Sequence, residues 1–473
     1  MKVLLIKPPF NPNLITTTLY EPLELEYLGA SVKEHDVEIL DMRIDRNLIK
    51  KLSVFDPDVV GISAYTCDVN TAKKILNDIK KYRSSIKTTV GGIHATFMPE
   101  DFKENYVDAI FLGYADKSFK EYVDALESGE DLKKISNLGL VENGTIHFTE
   151  KKLTGMELDS IPEPNRDLTR NYRRKYHDSR HKSIALVMTS RGCPYRCTFC
   201  ACWKLMEGRF STRSIDSVIK ELKNLPDNIK SVYFSDDNTF HNIKWARQLC
   251  DAIKEHRIKK NYLMYARPDS IVKNPDLFQS FKEAGLSYLT VGFESIHDKD
   301  LQEINKKTSV EMNNEAIRTL KRLNIHINAH FLVKPDFSKD DFNQLRQYVV
   351  DKKLFRPAYP VLTPLPGTEL LAQTKDKMVI KEYDFFDFCH ALLPTKLSRK
   401  SFYNELGEIY RKSYGFKRYF HSKITGLWKR LNREKNLYEY STDGMSFLML
   451  LLINLFGIRK FFQMKRAYKS EPL

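Results

Sequence analysis

Three cysteines, Cys193, Cys197 and Cys200, stand at C-x3-C-x2-C spacing within one short stretch of the chain. The apolar run at residues 184–188 precedes them and predicts a buried strand. A glycine and a proline flank the first cysteine and end that strand in a loop. The thiols therefore lie on one turn that can surround a single metal ion or cluster. Soft thiolate ligands of this kind suit an iron–sulfur cluster or a zinc ion.

The ligand count separates these two kinds of metal site. A structural zinc ion takes four ligands, and neither a second C-x2-C pair nor a pair of histidines follows to complete the set. A four-iron cluster held by three cysteines leaves one iron open, and a molecule with an amine and a carboxylate could chelate that iron. The spacing therefore favours a cluster over a zinc turn or an inert thiol loop. Cys202, just past the loop, is predicted to be a packing thiol rather than a ligand.

The same loop resembles the signature of the radical SAM enzymes, C-x3-C-x-Φ-C, with Phe199 as the aromatic Φ. The resemblance implies that the three cysteines bind a [4Fe–4S] cluster. It implies that S-adenosylmethionine binds the open iron through its methionyl group, with Phe199 at the cofactor site. It also implies the chemistry, in which one electron from the reduced cluster cleaves a sulfur–carbon bond and releases a 5′-deoxyadenosyl radical.

The composition indicates a reducing compartment. A chain of 473 residues with 7 cysteines does not have the cysteine density of a disulfide scaffold. The first eight residues predict a strand rather than a secretory signal. We therefore expect a cytoplasmic protein, in an anaerobic or protected setting because oxygen attacks an open-sited cluster. The length predicts about two or three domains.

The net charge of +15 would suit a nucleic-acid partner, but the charge is unevenly placed. Residues 396–473 hold 17 Lys and Arg against 6 Asp and Glu, so most of the surplus belongs to a C-terminal tail. The distribution therefore disfavours nucleic acid as the partner of the remaining chain.

The tail, residues 376–473, is basic and aromatic and is predicted to be a mostly helical C-terminal region. It contains an almost wholly apolar stretch at 446–456 with basic residues after it. At about 1.5 Å per residue this stretch spans about half a bilayer core, so it does not predict a transmembrane helix. A short apolar helix flanked by cations fits a membrane-surface anchor, which would place the protein peripherally at the inner membrane face. The alternatives are a buried packing helix and an RNA contact through the aromatic residues that alternate with basic ones.

Residues 1–150 alternate short apolar runs with helical patterns. A helix begins near Glu21, and the stretch at 70–82 has helical apolar spacing. The alternation predicts a parallel, doubly wound (Rossmann-like) α/β domain that binds its ligand at the carboxyl ends of the strands. The predicted strands lie at residues 3–6, 36–40, 59–63, 88–92 and 109–113.

Three loops follow these strands: Ser63-Ala-Tyr-Thr66, Gly91-Gly-Ile-His-Ala-Thr96 and Gly113-Tyr-Ala-Asp116. Paired glycines let a backbone approach a large flat ligand closely. The loops resemble, in their order, the cobalamin-binding domain found ahead of certain radical SAM barrels, with its V-x-I-S-x-x-T, G-G-x-H-A-T and G-E-G-E elements. The resemblance implies cobalamin as a cofactor, with contacts from Ser63, Thr66, Gly91, Gly92, His94 and Gly113.

The sequence departs from the cobalamin pattern in two places. The D-x-H-x-x-G motif that supplies an axial histidine to cobalt elsewhere is absent, so His94 is expected in a loop near the corrin rather than on cobalt. Gly113-Tyr-Ala-Asp116 replaces G-E-G-E, which leaves open a degenerate domain that has lost its cofactor.

The second half of the chain predicts a linker and a barrel. Residues 151–180 are polar and irregular, and their basic run at 170–175 is expected to be a solvated face rather than a phosphate site. Over residues 181–375 strands and helices alternate again. Six strand–helix units predict a partial (β/α)6 barrel with its chemistry at the polar strand ends.

These strand ends match the radical SAM pattern position by position. The resemblance implies that Asp236 and Asp237 offer a carboxylate to the methionyl ammonium, although at least one of them is expected only to cap the next helix. It implies that Glu294 accepts from the ribose hydroxyls. Arg267 could hold a carboxylate or phosphate, or form a structural ion pair. The loop at 363–369 resembles the T-P-x-P-G-T loop of the cobalamin-linked subgroup and is expected to shape one wall of the pocket.

The resemblance covers most of the chain except the tail, and it is nearest to the branch with hopanoid methylases and the anaerobic magnesium-protoporphyrin ester cyclase. For most of that branch it implies that one S-adenosylmethionine methylates cob(I)alamin. A second yields the deoxyadenosyl radical, which takes a hydrogen atom from an unactivated carbon before methyl transfer from methylcobalamin. The predicted function is therefore C-methylation of a hydrophobic, lipid- or isoprenoid-like small molecule.

Two alternatives stay open from the sequence. One is an oxidative cyclase or other radical rearrangement without methyl transfer, and the other is a non-catalytic cobalamin- or redox-responsive protein. The implied partners are the substrate and a reducing electron donor such as flavodoxin or ferredoxin.

Overall fold

The computed structural model of the protein describes residues 1–11, 18–178, 181, 183–355 and 357–414. Within these residues the strands form a seven-stranded sheet, a five-stranded sheet and a two-stranded ribbon. The first sheet lies in the N-terminal part, and the second lies in the part that carries the cysteines. Both α/β units predicted from the sequence are confirmed.

The first sheet is built mainly from parallel strands. Its strands are β1 (Lys2–Lys7), β2 (Asp36–Asp41), β3 (Val59–Ser63), β4 (Lys87–Gly91), β5 (Ala109–Phe111), β6 (Leu138–Glu142) and β7 (Thr145–Phe148). They are ordered β2-β1-β3-β4-β5-β6-β7, with β1 to β5 parallel and the last two antiparallel. The strand order reverses at β1, and a crevice at such a switch point is where sheets of this kind bind ligands.

Five helices cover this sheet: α1 (Leu23–Ser31), α2 (Leu48–Phe55), α3 (Val69–Tyr82), α4 (Ile93–Phe97) and α5 (Asp116–Ser128). The helix α3 has the apolar spacing that predicted a helix at residues 70–82. It buries Ala72, Ile75, Leu76 and Ile79, which occupy one helical face at the spacing of an amphipathic helix. Pro22 immediately precedes α1, at a position where a missing backbone N–H costs no helical hydrogen bond.

The cysteine-bearing part forms the partial barrel. Its strands are β8 (Ile184–Val187), β9 (Ser190–Arg191), β10 (Ser211–Thr212), β11 (Ser231–Phe234), β12 (Asn261–Ala266), β13 (Leu286–Glu294) and β14 (His326–Phe331). The sheet has the order β14-β13-β12-β11-β8 with every neighbour parallel. The antiparallel ribbon of β9 and β10 holds the cysteine loop between its strands.

The sixth predicted strand is present only as two isolated parallel bridges. His330 bridges to Ala358, and Val333 bridges to Val361. The segment extends the barrel beyond β14 through four backbone hydrogen bonds, and Pro360, which has no N–H, interrupts the ladder between the two bridges.

Among the described residues, ten helices belong to the barrel and to the segment after it. They are α6 (Cys202–Leu205), α7 (Ile215–Asn224), α8 (Ile243–Glu255), α9 (Pro268–Lys273), α10 (Pro275–Ala284), α11 (Asp298–Glu303), α12 (Val310–Arg322), α13 (Lys339–Asp351), α14 (Glu369–Thr374) and α15 (Arg399–Tyr414). The apolar faces of the larger helices pack on the outer face of the sheet, in one core that includes Phe234, Phe278 and Leu320.

The segment between the two domains takes part in a buried ion network. Arg166 donates to Glu21, just before α1, and to Glu221 of the barrel helix α7, at 2.5 Å each. Arg173 pairs with Glu21 and with Glu26 of α1. The three carboxylates are buried, and buried charges of this kind need partners. The network therefore joins both domains to the segment that links them.

The prediction of a solvated face at residues 170–175 is wrong for one residue of that run. The side chain of Arg173 is 12% exposed because it turns inward to neutralise two buried carboxylates. The neighbouring Arg174 and Lys175 are exposed, as predicted.

The aromatic stretch after the barrel packs against the first domain. A short turn at Tyr383–Phe385 contacts α3 and the turn at Thr66–Asp68. The apolar stretch predicted as a membrane-surface segment, residues 446–456, lies outside the described residues. Among the residues that the structure describes, none of the helices has the length and apolar character needed to cross a membrane.

Candidate active site between the two domains

A cavity of about 390 Å³ lies between the carboxyl ends of the first sheet and the cysteine loop. The first domain contributes Ser63 from the end of β3, Gly91 from the end of β4 with Gly92 after it, and Gly113 after β5. The barrel contributes Leu186, Met188, Ser190, Arg191, Ser235 and Asp237. The strand ends of both domains therefore open into one space.

Two aspartates hold the start of the cysteine loop. Asp236 is buried and accepts hydrogen bonds from the backbone N–H of Thr189 at 2.7 Å and of Ser190 at 3.0 Å. Asp237 lines the cavity and accepts from the N–H of Gly192 at 2.9 Å. Burial raises the pKa of both carboxyls, while these donors act in the opposite direction.

The prediction that one of these aspartates caps the next helix is wrong. The helix α8 is capped by Asn242, whose side chain accepts from the N–H of Trp245 at 3.1 Å. Asp236 instead positions the strand that leads into the cysteine loop. Asp237 lies on the cavity wall, so its contact with the methionyl ammonium stays a prediction.

The three cysteines are free thiols at the rim of the barrel. Burial raises the pKa of Cys193 to about 11 and also raises the pKa of Cys197, whereas a hydrogen bond with Cys202 lowers the pKa of Cys200. Cys202 therefore acts on Cys200 through a hydrogen bond, and its predicted role as a packing thiol rather than a ligand stays a prediction. Phe199 is half-buried in the same loop.

The donor set around these thiols consists of soft sulfur ligands, which suit an iron–sulfur cluster. Among the described residues, no group of three or more His, Cys, Asp and Glu side chains converges on a point that could hold one metal ion. Cysteines on separate corners of a larger iron–sulfur cluster need no such convergence. Asn238 adds a side-chain amide 4.0 Å from the Cys193 Sγ, and its buried Oδ1 has no partner. The loop therefore fits the predicted [4Fe–4S] cluster.

The opposite wall of the cavity is a backbone cradle. Gly92 has φ of +103°, and a Cβ at this position would lie 2.8 Å from the Ala64 carbonyl oxygen, so only glycine fits. The hydroxyls of Tyr27 and Ser190 are buried at the cavity without a hydrogen-bond partner. Unpartnered buried groups of this kind indicate a missing ligand. The cradle and the two hydroxyls fit a large ring that carries hydrogen-bonding substituents, as the corrin of cobalamin does.

Two residues of the predicted cobalamin set lie beneath the cavity wall rather than on it. His94 is fully buried in α4, not in a loop, and its ring nitrogens contact the Thr66 hydroxyl at 3.2 Å and Asp101 at 2.9 Å. The Tyr383 hydroxyl donates to the same Asp101 at 2.7 Å. Since both ring nitrogens are engaged, His94 has none left for cobalt. His94 thus lies in a helix rather than in the predicted loop, and contact of His94 and Thr66 with the corrin stays a prediction.

The end of β13 carries a buried ion pair. Glu294 has φ of +64° and accepts from Lys306 at 2.7 Å. Arg267 forms the structural alternative predicted for it, since it pairs with Asp269 at 3.0 Å and stacks on Tyr195 of the cysteine loop at 3.5 Å. Glu294 stays a predicted ribose ligand, with Lys306 as a partner that sequence reasoning missed.

The altered Gly113-Tyr-Ala-Asp116 loop joins the two domains. Arg191, two residues before the first cysteine, is buried and donates to both carboxylate oxygens of Asp116 at 2.6 and 3.1 Å. Its guanidinium also lies 4.1 Å from the centre of the Tyr114 ring. The departure from G-E-G-E therefore creates an anchor between the two walls of the cavity, which we call the Arg191 clamp (Arg191, Asp116 and Tyr114). The acid retained at the fourth position was the signal that could have revealed it.

The barrel lumen beside the cavity is rich in tyrosine. Tyr233 of β11 contacts both Tyr20 and Tyr265 with ring centres 5.5 Å apart, and Tyr288 of β13 stacks on His326 at the same distance. The Tyr265 side chain is 38% exposed although it lies on an inner strand of the sheet, because it faces the lumen. Alternation within the strands places these rings opposite the helix-covered face.

Comparison with known families adds independent evidence on the two domains. Residues 16–123 match the B12 binding domain, and residues 187–349 match the radical SAM superfamily. An uncharacterized methyltransferase of Pyrococcus horikoshii is 30% identical over 78% of this chain and 82% of its own length. The chain belongs to the cobalamin-dependent radical SAM family. It is accordingly a radical SAM enzyme whose cofactors are a [4Fe–4S] cluster, S-adenosylmethionine and cobalamin.

Two further similarities agree with this family. Hopanoid C-3 methylase of Methylococcus capsulatus is 27% identical over 88% of this chain and 81% of its own length. The structure of the cobalamin-dependent radical enzyme OxsB, with aqua-cobalamin and S-adenosylmethionine bound, superposes with a TM-score of 0.70 at 17% identity, covering 98% of this chain and 80% of that one. At that identity the superposition supports the fold of this radical SAM enzyme.

Proposed function

We propose that this radical SAM enzyme methylates an unactivated carbon of a hydrophobic, lipid- or isoprenoid-like small molecule. The observation that carries the proposal is the single cavity to which both domains contribute their strand ends. Gly92 and Ser63 line the wall formed by the first domain, and Asp237 and Ser190 line the wall formed by the barrel. A reaction that needs two cofactors and one substrate in contact requires this kind of shared space.

The tyrosine-lined lumen supports the hydrophobic part of the proposal. Rings of Tyr233, Tyr265 and Tyr288 offer apolar faces on which an alicyclic or polyprenyl skeleton can pack. Met188 and Leu186 continue this apolar surface into the cavity. This position supports binding of the skeleton next to the cysteine loop, where hydrogen abstraction would begin.

The residues of the chain bind, orient and exclude water rather than supply the reactive groups. When bound, the cluster with S-adenosylmethionine supplies a radical and cobalamin supplies the methyl group. The cysteine loop holds the cluster, and Asp236 fixes that loop through the Thr189 and Ser190 N–H groups. The Gly92 cradle lets the corrin approach the backbone. The Arg191 clamp keeps the two walls at a fixed separation.

The reducing electron donor in this proposal is a small redox protein such as flavodoxin or ferredoxin. The proposed place of work is the cytoplasm, with a peripheral contact at the inner membrane face where lipid substrates are found. The uneven charge of the tail supports that contact, because residues 396–473 hold 17 of the basic residues and an apolar stretch.

A labelled-methyl experiment tests the proposed reaction. The enzyme, reconstituted anaerobically with cluster and cobalamin and reduced with dithionite, is incubated with methyl-deuterated S-adenosylmethionine and a membrane-lipid extract containing polycyclic isoprenoids. We expect labelled methyl groups on carbon in a lipid product, with equal amounts of S-adenosylhomocysteine and 5′-deoxyadenosine. The products are measured by mass spectrometry.

The alternatives give different results in this experiment. Lipid-dependent 5′-deoxyadenosine without label in the product would contradict methylation and indicate a cyclase or rearrangement. Absence of both 5′-deoxyadenosine and labelled product would show that these lipids are not substrates of the enzyme and would contradict the proposed hydrophobic substrate.

A further inference from the structure

The outer face of the cysteine loop carries a group of cations around one tryptophan. Trp203, on α6 directly after the loop, donates from its indole N–H to the Cys197 carbonyl oxygen at 3.4 Å. The Arg196 guanidinium lies 5.7 Å from the centre of the Trp203 ring, and the Lys204 amine lies 5.3 Å from it. The indole thus sits between two cations and against the backbone of a cluster-binding cysteine.

Further cations extend this surface. Arg209 follows on the same chain segment, and its carbonyl oxygen lies close to Gly192 of the loop. Lys307 follows two residues after Asn305, whose side-chain amide donates to the Arg196 carbonyl oxygen at 2.7 Å. We call this surface the cationic rim: Arg196, Lys204, Arg209 and Lys307.

The charge of the cationic rim is scarcely compensated within the described residues. Arg196, Arg209 and Lys307 are exposed, and Lys204 is half-exposed. The carboxylate nearest in sequence, Glu207, lies 3.8 Å from the amine of Lys151. A patch with one sign of charge attracts and orients a partner of the opposite sign.

The position of the rim indicates what such a partner would do. The cavity is lined by Ser190, Arg191 and Leu205 at the two ends of the cysteine segment, whereas the side chains of the cationic rim do not line it and face solvent, so the rim is open to another protein. The half-buried indole and the Cys197 backbone connect that face to the cluster-binding thiol. A partner docked here would stand nearer to the cluster than to the cobalamin cradle.

We propose that the cationic rim is the docking surface for an acidic one-electron donor protein of the flavodoxin or ferredoxin type. The inference rests on the proposed function, because it assigns a surface to the donor required there. One electron leaves the reduced flavin or iron–sulfur centre of the donor, which is oxidised by one electron, and the cluster is reduced by one electron. No covalent bond forms or breaks at this surface.

The test compares charge variants in a direct binding measurement. The probe is a purified, acidic bacterial flavodoxin, and its dissociation constant for the cluster-loaded enzyme is measured by titration calorimetry at low and high ionic strength. The double variant Arg196→Glu/Lys204→Glu is expected to bind at least about tenfold more weakly and to lose most of the salt dependence. The neutral pair Arg196→Gln/Lys204→Gln, which preserves side-chain length more closely, is expected to give an intermediate loss.

The control places the same charge change on a distant surface. Lys50 of α2 and Lys74 of α3 are exposed on the outer face of the first domain, so Lys50→Glu/Lys74→Glu is expected to bind flavodoxin as the unmodified enzyme does. Dithionite, a small reductant, is expected to reduce the cluster equally in all proteins, as measured by electron paramagnetic resonance. This control separates loss of docking from loss of the cluster.

Two results would overturn the inference. One is unchanged flavodoxin binding by both rim variants, and the other is equal weakening by the control pair, which would show a general charge effect. Methyl transfer is not measured in this test. Failure of methylation by dithionite-reduced enzyme would therefore contradict the proposed function while leaving the docking result as it stands.

Discussion

Replacing Cys197 with alanine is expected to remove the iron–sulfur cluster and all 5′-deoxyadenosine production. Cys197 is 6% exposed at the middle of the loop, and its carbonyl oxygen accepts from the Cys200 N–H at 3.1 Å. A cluster with only three protein ligands has no spare thiolate in the motif to replace a lost one. Iron and sulfide analysis, together with the electron paramagnetic resonance spectrum of the reduced protein, measures the loss.

The neighbouring thiol supplies the matched control. Cys202 hydrogen-bonds to Cys200 and is predicted not to bind iron, so Cys202→Ser keeps a donor at that position. This variant is expected to retain its iron and its 5′-deoxyadenosine production. Residual 5′-deoxyadenosine from Cys197→Ala, or complete loss of iron in Cys202→Ser, would contradict the assignment of ligands.

Replacing Asp116 with alanine is expected to lower the free energy of unfolding by about 3 kcal/mol. The reason is that Arg191 would stay buried without the carboxylate that it contacts through both oxygens. The Asp116 side chain is 17% exposed and the Arg191 side chain is 7% exposed, so solvent screens this pair only weakly. The same change is expected to weaken cobalamin binding, because the Arg191 clamp fixes the loop of Gly113 against the barrel. Urea unfolding and optical titration with hydroxocobalamin measure the two effects.

A double variant separates stability from the coupling of the domains. Arg191→Met with Asp116→Ala removes both charges, and buried pairs replaced in this way commonly recover stability. We expect the double variant to unfold more nearly like the unmodified protein and still to bind cobalamin weakly. If Asp116→Ala unfolds with the free energy of the unmodified protein, the clamp does not join the two walls.

Local patterns carried most of the fold prediction. Alternating apolar runs located the parallel strands, since a buried strand and its covering helix each leave a period in the sequence. The antiparallel hairpin of β6 and β7 was missed although it had a readable signal. Asn143 and Gly144, at its turn, have φ of 51° and 75°, and an Asn-Gly pair is the usual sequence for that turn.

Contacts between distant parts of the chain could not be predicted in this way. Arg191 and Asp116 are 75 residues apart, and Tyr383 and Asp101 are 282 residues apart. No periodicity records such pairs, because they depend on how the two domains pack. For the same reason the sequence located the glycines of the cradle, which are required by local backbone geometry, but not the partners of His94, which are Thr66 and Asp101.

Counting metals tests the central claim, that one chain holds both cofactors at one cavity. The enzyme is purified anaerobically with hydroxocobalamin, and iron and cobalt are measured per chain alongside the optical spectrum. A Gly92→Ala variant serves as the control, since its Cβ would crowd the Ala64 carbonyl in the cradle. We predict about four iron ions and about one cobalt ion per chain in the unmodified enzyme, and iron without cobalt in the variant. Iron without cobalt in the unmodified enzyme would contradict the account and leave hydrogen abstraction without methyl transfer.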